Sequence, residues 1–402
     1  MSFPKVGILG GGQLAQMLCE AADAALGLKV SVYSDTKDCP AATATNSIVV
    51  GSMTLDEVSK FISSVDIVLF ESEFVDVDFL LKVKEHTQST SNHKFLFYPS
   101  LSTMSCLQDK LLQKQLCVQA GCPTTQWEVF DLSCDITGQI SNLKNTFPTG
   151  AVLKWSRNGY DGKGNFFVTD WDSQIEEIKS FIKDGQTKSA ITYAEQMIKF
   201  QKELAIVCIR DKSKKTHPYP VVVSEQLKGT CLNVFGPAYS IDIPIDVQET
   251  VIKIAQKIGD QSDIIGAYAV ELFLTEDNKL LVNEIAPRVH NTGHYTQDCT
   301  NSSQFENHIR TILELPIDLF VTRGTFFGMR NILGPVGILK DVCDAPVQLE
   351  GTNLHWYYKK GTKPGRKLGH INVIADSREQ FEVNWNKALQ VEQTWIKNLS
   401  NN

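Results

Sequence analysis

Between residues 5 and 98, short apolar runs alternate with helix-patterned segments so regularly that few folds are open to the chain. Lys5 to Leu9 read as a buried strand, Gly10-Gly11-Gly12-Gln13-Leu14 follow it, and a helical run extends to about Ala25 before Gly27 closes it. "LKVSVYS" gives a second strand ending at Asp35. The alternation continues through "SIVV", a helix from Thr54, "DIVLF", a helix from Asp78 and "KFLFY". Such a pattern predicts an α/β architecture with a parallel sheet covered on both faces. Glycines between a strand and a helix let a ligand approach the backbone, and the helix N-terminus favours an anion there. "GGGQLA" nearly fits the dinucleotide fingerprint, with Ala15 at the third glycine position and Asp35 roughly twenty residues on. Another phosphate-bearing ligand, or simply a tight turn, fits it equally. Glu71 and Glu73 sit just past the strand 66–70, whose carboxyl end lies on the ligand-binding edge of such a sheet; in a loop they are also compatible with plain solvation.

With 402 residues, and domains of ~100–200 residues each, the chain should hold two or three. We place boundaries at 1–104, 105–318 and 319–402. An apolar fraction of 42% against 21% charged is that of a globular protein, and no run reaches the ~18 apolar residues of a membrane span. A net charge of −7 argues against nonspecific binding to nucleic acid or anionic membranes. The chain enters "KVGILGGG" with no leader pattern. The ten cysteines lack metal-site spacing. A cytoplasmic protein acting on small molecules is expected.

The central segment carries most of the chemistry. "LSTMSCLQDKLLQKQLCVQAG" has helical spacing, and Asp109 and Lys110 would fall on its solvated face. "GAVLKW" delivers Lys154 from an apolar run. The loop 155–164 behind it, "SRNGYDGKGN" in large part, combines glycines with Arg157, Tyr160, Gly162 and Lys163. It fits neither a Walker nor a kinase glycine loop; a mobile cover for a polyphosphate and an elaborate β-hairpin turn are both open. "SAITYAEQMI" is a strand ending at Glu195, Gln196 and Ile198, a joint that could offer backbone groups to an adenine edge. Glu203, at the start of "ELAIVCI", could reach ribose hydroxyls. "AYAVELFL" and "LVNEIA" then form a hairpin around Glu276-Asp277-Asn278. Each strand holds a carboxylate, Glu271 and Glu284, which is costly to bury uncompensated. A magnesium ion sharing them with substrate phosphates would compensate both; so would a buried salt bridge to Arg288. Beyond the hairpin, Pro287 and Gly293 keep Arg288, His290, Asn291 and His294 in a loop. The last eighty or so residues read mostly as short β segments, with a basic loop, "KKGTKPGRKLGH", shaped for an anion.

This order of parts resembles the ATP-grasp superfamily, and within it the carboxyaminoimidazole ribonucleotide synthetase family. The resemblance rests on "GGGQLAQM", "GYDGKG", "NEIAPRVHNTGHYTQ", "SQFENHIR", "LHWYYKK" and "PGRKLGH", in family order along essentially the whole chain. It implies an ATP-grasp fold with an N-terminal Rossmann-like domain and a small C-terminal β-rich domain. It also implies an ADP-forming ligase of purine biosynthesis that uses ATP, magnesium and bicarbonate to carboxylate aminoimidazole ribonucleotide, working as a homodimer. By resemblance, Lys110, Lys154, Gly162, Lys163, Glu195, Gln196, Ile198 and Glu203 serve the nucleotide, and Glu271 and Glu284 the magnesium. Tyr160, Arg288, His290 and Lys367 surround bicarbonate and carboxyphosphate; Gly12, Gln13, Leu14, Glu71, Asn291, Lys359 and Arg366 hold the acceptor. With substrate at the glycine loop, the dinucleotide reading falls away.

Some positions depart from the family. Gln16 stands where "GGGQLGRM" has arginine, Ser72 and Phe74 interrupt "YEFENV", and Ser224-Glu225-Gln226 and Leu232 replace an Asn-x-His and a following arginine. They are compatible with drift or with a changed acceptor. A ligase with another acceptor and a non-catalytic nucleotide-binding protein are the alternatives.

Overall fold

The structure is a computed structural model, and it describes residues 3–91, 93–131, 135–159, 164–317, 320–341 and 343–401. Five parallel strands form the N-terminal sheet in the order 48–50, 31–34, 6–9, 67–70, 96–98. The strand Val6–Leu9 is wholly buried at its centre, which is why it reads as an unbroken apolar run. The helix Gln13–Leu26 starts directly behind the glycines and ends on Gly27, whose φ of 60° supplies the left-handed C-cap.

The segment expected as one helix after Pro99 is two. Leu101–Leu107 and Lys110–Gln119 are separated at Gln108–Asp109, and the Asp109 carboxylate caps the second by accepting from the N–H groups of Leu111 and Leu112. Asp109 is therefore buried rather than on a solvated face. A four-stranded antiparallel sheet (127–129, 192–196, 151–155, 165–168) follows, with helices Ile136–Thr146 and Ile175–Thr187.

The third sheet has nine strands and is antiparallel throughout. Its path runs from the hairpin Gly266–Thr275/Leu280–Ala286 through Phe200–Arg210, Val222–Leu227 and Thr230–Gly236 to Phe326–Leu333, Lys367–Ala375 and Asn353–Trp356. The C-terminal strands thus continue the central sheet through the pairing of Asn233–Gly236 with Phe327–Arg330. The segment expected to be mostly short β runs ends in a 24-residue helix, Arg378–Asn401, which packs Phe381, Trp385, Ala388, Val391 and Trp395 onto those strands.

One core cluster crosses the molecule. It joins Ile8 and Val32 of the N-terminal sheet, and Leu14 and Met17 of the helix Gln13–Leu26, to Val207, Ala269, Phe305, Ile309 and Tyr357. The nine described cysteines are free, and seven of them are buried. Among the described residues no helix is long and apolar enough to cross a membrane.

Candidate active site

Glu271 and Glu284 stand directly opposite each other in the hairpin, where the ladder register shifts. Residues facing across a ladder have Cβ atoms ~5 Å apart, so like charges there repel. Burial first, then the Glu284 and Glu203 carboxylates, pushes Glu271 up to about 8. The Glu284 carboxylate takes Lys110 Nζ at 2.6 Å. The alternative of a salt bridge to Arg288 does not hold, because Arg288 pairs with Glu73 instead. Among the described residues no group of three or more His, Cys, Asp or Glu could hold a metal by itself. Two crowded carboxylates, one carrying excess proton affinity, are what a divalent cation would relieve if phosphate oxygens and water completed its shell.

Lys110 reaches this pair because the helix break places it at N1, with its N–H bonded to the Ser156 carbonyl at 2.8 Å. The Gln113 amide locks the helix to the hairpin, donating to Ile285 O and accepting from Ile285 N, both at 2.8 Å. Lys154 donates to Asn283 Oδ1 at 3.2 Å and pairs with Glu195 at 2.6 Å. The other Glu195 oxygen is shared by Lys114 and the Thr125 hydroxyl. Burial alone would raise the Glu195 carboxyl, but Lys154 and Lys114 hold it down to about 2. Lys114, one helical turn on from Lys110, is missing from the sequence-derived set; that shared face is the signal for it. The Glu195 side chain thus faces inward, leaving the main chain of Gln196–Ile198 as the part open to a nucleotide. Glu203 is half-buried, with the Gln226 amide on its carboxylate. Tyr160, Gly162 and Lys163 lie outside the described residues.

On the opposite side, the glycine loop meets the loop after strand 67–70. Gly10 adopts φ +102° and so favours glycine, and a Cβ on Gly12 would lie 2.1 Å from Glu71 Oε1 and displace that carboxylate. The Leu14 N–H bonds to the Glu71 carboxylate, yet burial keeps its proton affinity above the ordinary level. Gln13 is half-buried at the helix start. The Ser72 hydroxyl accepts from Phe74 N at 3.2 Å and shapes this loop. Gln16 is buried and donates to Trp356 O at 3.1 Å and Glu20 Oε1 at 3.0 Å, tying the first helix to the C-terminal strands.

Between the two halves, His290 Nε2 lies 3.9 Å from Glu271 Oε1, while its Nδ1 meets Thr292 Oγ1 at 2.9 Å. Burial, then the Arg288 cation, pushes His290 down to about 3, so it is neutral. Asn291 exchanges amide bonds of 3.0 and 2.7 Å with Asn331 of the C-terminal strands. From those strands, the Lys367 ammonium acts on Glu271 and His290. Lys359 donates to Lys367 O at 2.8 Å, and Arg366 to Lys360 O. Lys110, Lys154, Glu271, Glu284, Arg288, His290, Lys367, Glu71 and Lys359 are thus linked at one junction; among the described residues, Gln196, Ile198 and Arg366 are not tied to it by a side-chain contact.

Known proteins are similar to this chain in sequence and fold. The ribonucleotide synthetase preATP-grasp domain matches residues 3–97, the ATP-grasp domain 115–305 and the phosphoribosylaminoimidazole carboxylase C-terminal domain 328–383. The N5-carboxyaminoimidazole ribonucleotide synthase of Synechococcus elongatus is 34% identical, over 97% of this chain and 95% of that relative. The phosphoribosylaminoimidazole carboxylase of Candida albicans is 35% identical over 95% of this chain, which spans 66% of that longer protein. The Aspergillus clavatus carboxyaminoimidazole ribonucleotide synthase solved with ATP superposes with a TM-score of 0.84, at 29% identity and covering 98% of this chain and 99% of the other. The same enzyme with ADP and 5-aminoimidazole ribonucleotide gives 0.82, at 28% identity and covering 97% of this chain and 99% of the other. Similarity of this extent, along nearly the whole of both chains, makes this protein a member of the N5-carboxyaminoimidazole ribonucleotide synthase family of ATP-grasp ligases.

Proposed function

We propose that this protein carboxylates the exocyclic amine of 5-aminoimidazole ribonucleotide at the expense of ATP, releasing ADP and phosphate, in purine biosynthesis. The convergence of the Glu271/Glu284 pair with Lys110 and Lys154 on one side, and Arg288, His290 and Lys367 on the other, carries this reading. A bicarbonate oxygen attacks the γ-phosphorus and ADP departs, giving carboxyphosphate. The amine nitrogen then takes the carboxyl group, phosphate leaves and the amine loses a proton. Glu71, with its raised proton affinity, would accept it.

Lys110 and Lys154 would bind the phosphates, while Gln196, Ile198 and Glu203 would seat the adenosine. A magnesium ion held by Glu271 and Glu284 would neutralise charge on the transferring phosphoryl group, the usual part of a metal in such transfers. Arg288 and Lys367 would stabilise the developing dianion, and Tyr160 belongs to the same set. Gly12, Gln13, Leu14 and Asn291 would receive the acceptor, and Lys359 and Arg366 its ribose phosphate. In this reading segments 1–104, 105–318 and 319–402 act together, as a homodimer in the cytoplasm. ADP release, followed with ATP, magnesium and bicarbonate, should rise strongly on adding aminoimidazole ribonucleotide and fall back when bicarbonate is removed. ADP release indifferent to that nucleotide would assign the chemistry to another acceptor.

A further inference from the structure

Glu73 is absent from the set of residues assigned to substrates, yet it is the principal partner of Arg288. The Arg288 Nε donates to one oxygen of Glu73, and Nη2 donates to the other at 2.7 Å. Nη1 donates to the Val289 carbonyl at 3.0 Å. Both side chains are largely buried, at 17% and 14% exposure. Burial alone would raise the Glu73 carboxyl, but the guanidinium holds it below its usual range. The pair is therefore ionised, side-on and bidentate, the geometry that fixes a guanidinium in plane as well as in position.

A guanidinium carries five N–H donors. Among the described residues Glu73 and Val289 together take three, so two of them, on Nη1 and Nη2, are left for a further acceptor. The pairing does not withdraw Arg288 from an anion. It orients the group and leaves a planar fork suited to a planar oxyanion.

We infer that Glu73 is a positioning residue for bicarbonate and the carboxyphosphate made from it, acting through Arg288. This rests on the reading that Arg288 faces bicarbonate. The placement has a consequence for how the site is assembled. Glu73 and Arg288 lie in loops that follow strands of different sheets, 67–70 and 280–286, 215 residues apart in sequence. Glu71, on the same short loop, reaches the glycine loop that would hold the acceptor. One loop therefore braces the carbonate arginine with one carboxylate and faces the acceptor with the other, with the Ser72 hydroxyl stiffening the turn between them.

Steady-state carboxylation by Glu73→Gln, Glu73→Asp and Arg288→Lys tests this. Gln keeps the shape but turns an amide N–H₂ toward the guanidinium; Asp keeps the charge but retracts it by one methylene. For both Glu73 variants we expect KM for bicarbonate to rise about tenfold or more, with KM for ATP within about twofold of the parent. Thermal unfolding should still be cooperative. An unchanged bicarbonate KM in folded Glu73 variants, while Arg288→Lys raises it, would overturn the positioning role and leave the Arg288 reading intact. An unchanged bicarbonate KM in Arg288→Lys as well would overturn the Arg288 reading itself. A uniform loss across all substrates, or failure of both Glu73 variants to fold, would make the pair a structural brace and overturn the inference.

Discussion

A carboxylate in the middle of an apolar strand asks for an explanation, and Glu271 and Glu284 were legible in the sequence for that reason. Their partners were not. Glu195 meets Lys114 across 81 positions and Arg288 meets Glu73 across 215, so nothing local announces either pair. Glu284→Gln removes one of two charges that crowd each other and the partner of Lys110. Fold stability should change little, while ATP turnover should fall at least about 100-fold, the scale on which electrostatic groups act in such transfers. Turnover that survives would show that another site is being measured. Glu195 makes the pH prediction. Its carboxyl is held at about 2 against an ordinary 4.5, so its contribution to stability is complete above the ordinary value and lost as pH falls through the folded one. The stability gap between the parent and Glu195→Gln in urea should therefore shrink by on the order of 1 kcal/mol between neutral pH and about pH 3.5. A gap independent of pH would mean the carboxyl is not depressed.

At the level of elements, strands and helices with clear periodicity were readable, and the missing features are those set by a single residue or by long-range pairing. The run 101–119 has unbroken helical spacing, so only the capping geometry of Asp109 reveals that Lys110 begins a new helix. Continuity of the nine-stranded sheet depends on pairing between 233–236 and 327–330, which no local pattern encodes. The C-terminal helix is a different case, because Phe381, Trp385, Ala388, Val391 and Trp395 do carry its period; the short β runs ahead of it dominate that segment. Asp109 both caps the helix and pairs with Arg157 at 2.8 Å. Asp109→Ala should cost about 1–2 kcal/mol, as N-cap losses do, and should raise KM for ATP by loosening Lys110. Asp109→Asn retains a capping oxygen, so it should keep most of the stability while losing the ion pair. Equal melting temperatures for the two variants would show that the cap contributes nothing.

In the molecule as a whole, the proposed site lies where elements of its three sheets meet. The N-terminal sheet is joined to the large sheet through a shared apolar core, and the C-terminal strands extend that same sheet. A reaction that brings a nucleotide, a carbonate and an amine together needs such a junction, since positioning supplies much of the rate. Lys367 tests the arrangement because it is contributed by the last strand, Lys367–Ala375, while Lys110 and Lys154, the lysines proposed to bind the nucleotide, lie on the central elements. Its charge acts on Glu271 and His290 at the centre. Replacing it with alanine removes a cation from the proposed carbonate side without touching the ion pairs of Lys110 and Lys154. Carboxylation by Lys367→Ala should fall about 100-fold or more, while ADP affinity measured by calorimetry stays within about threefold of the parent. The two losses would be equal if Lys367 belonged to the nucleotide site, and the C-terminal strands would then complete ATP binding rather than carboxyl transfer. A fall confined to carboxylation would assign the transfer step to the one part of the site that the C-terminal strands supply.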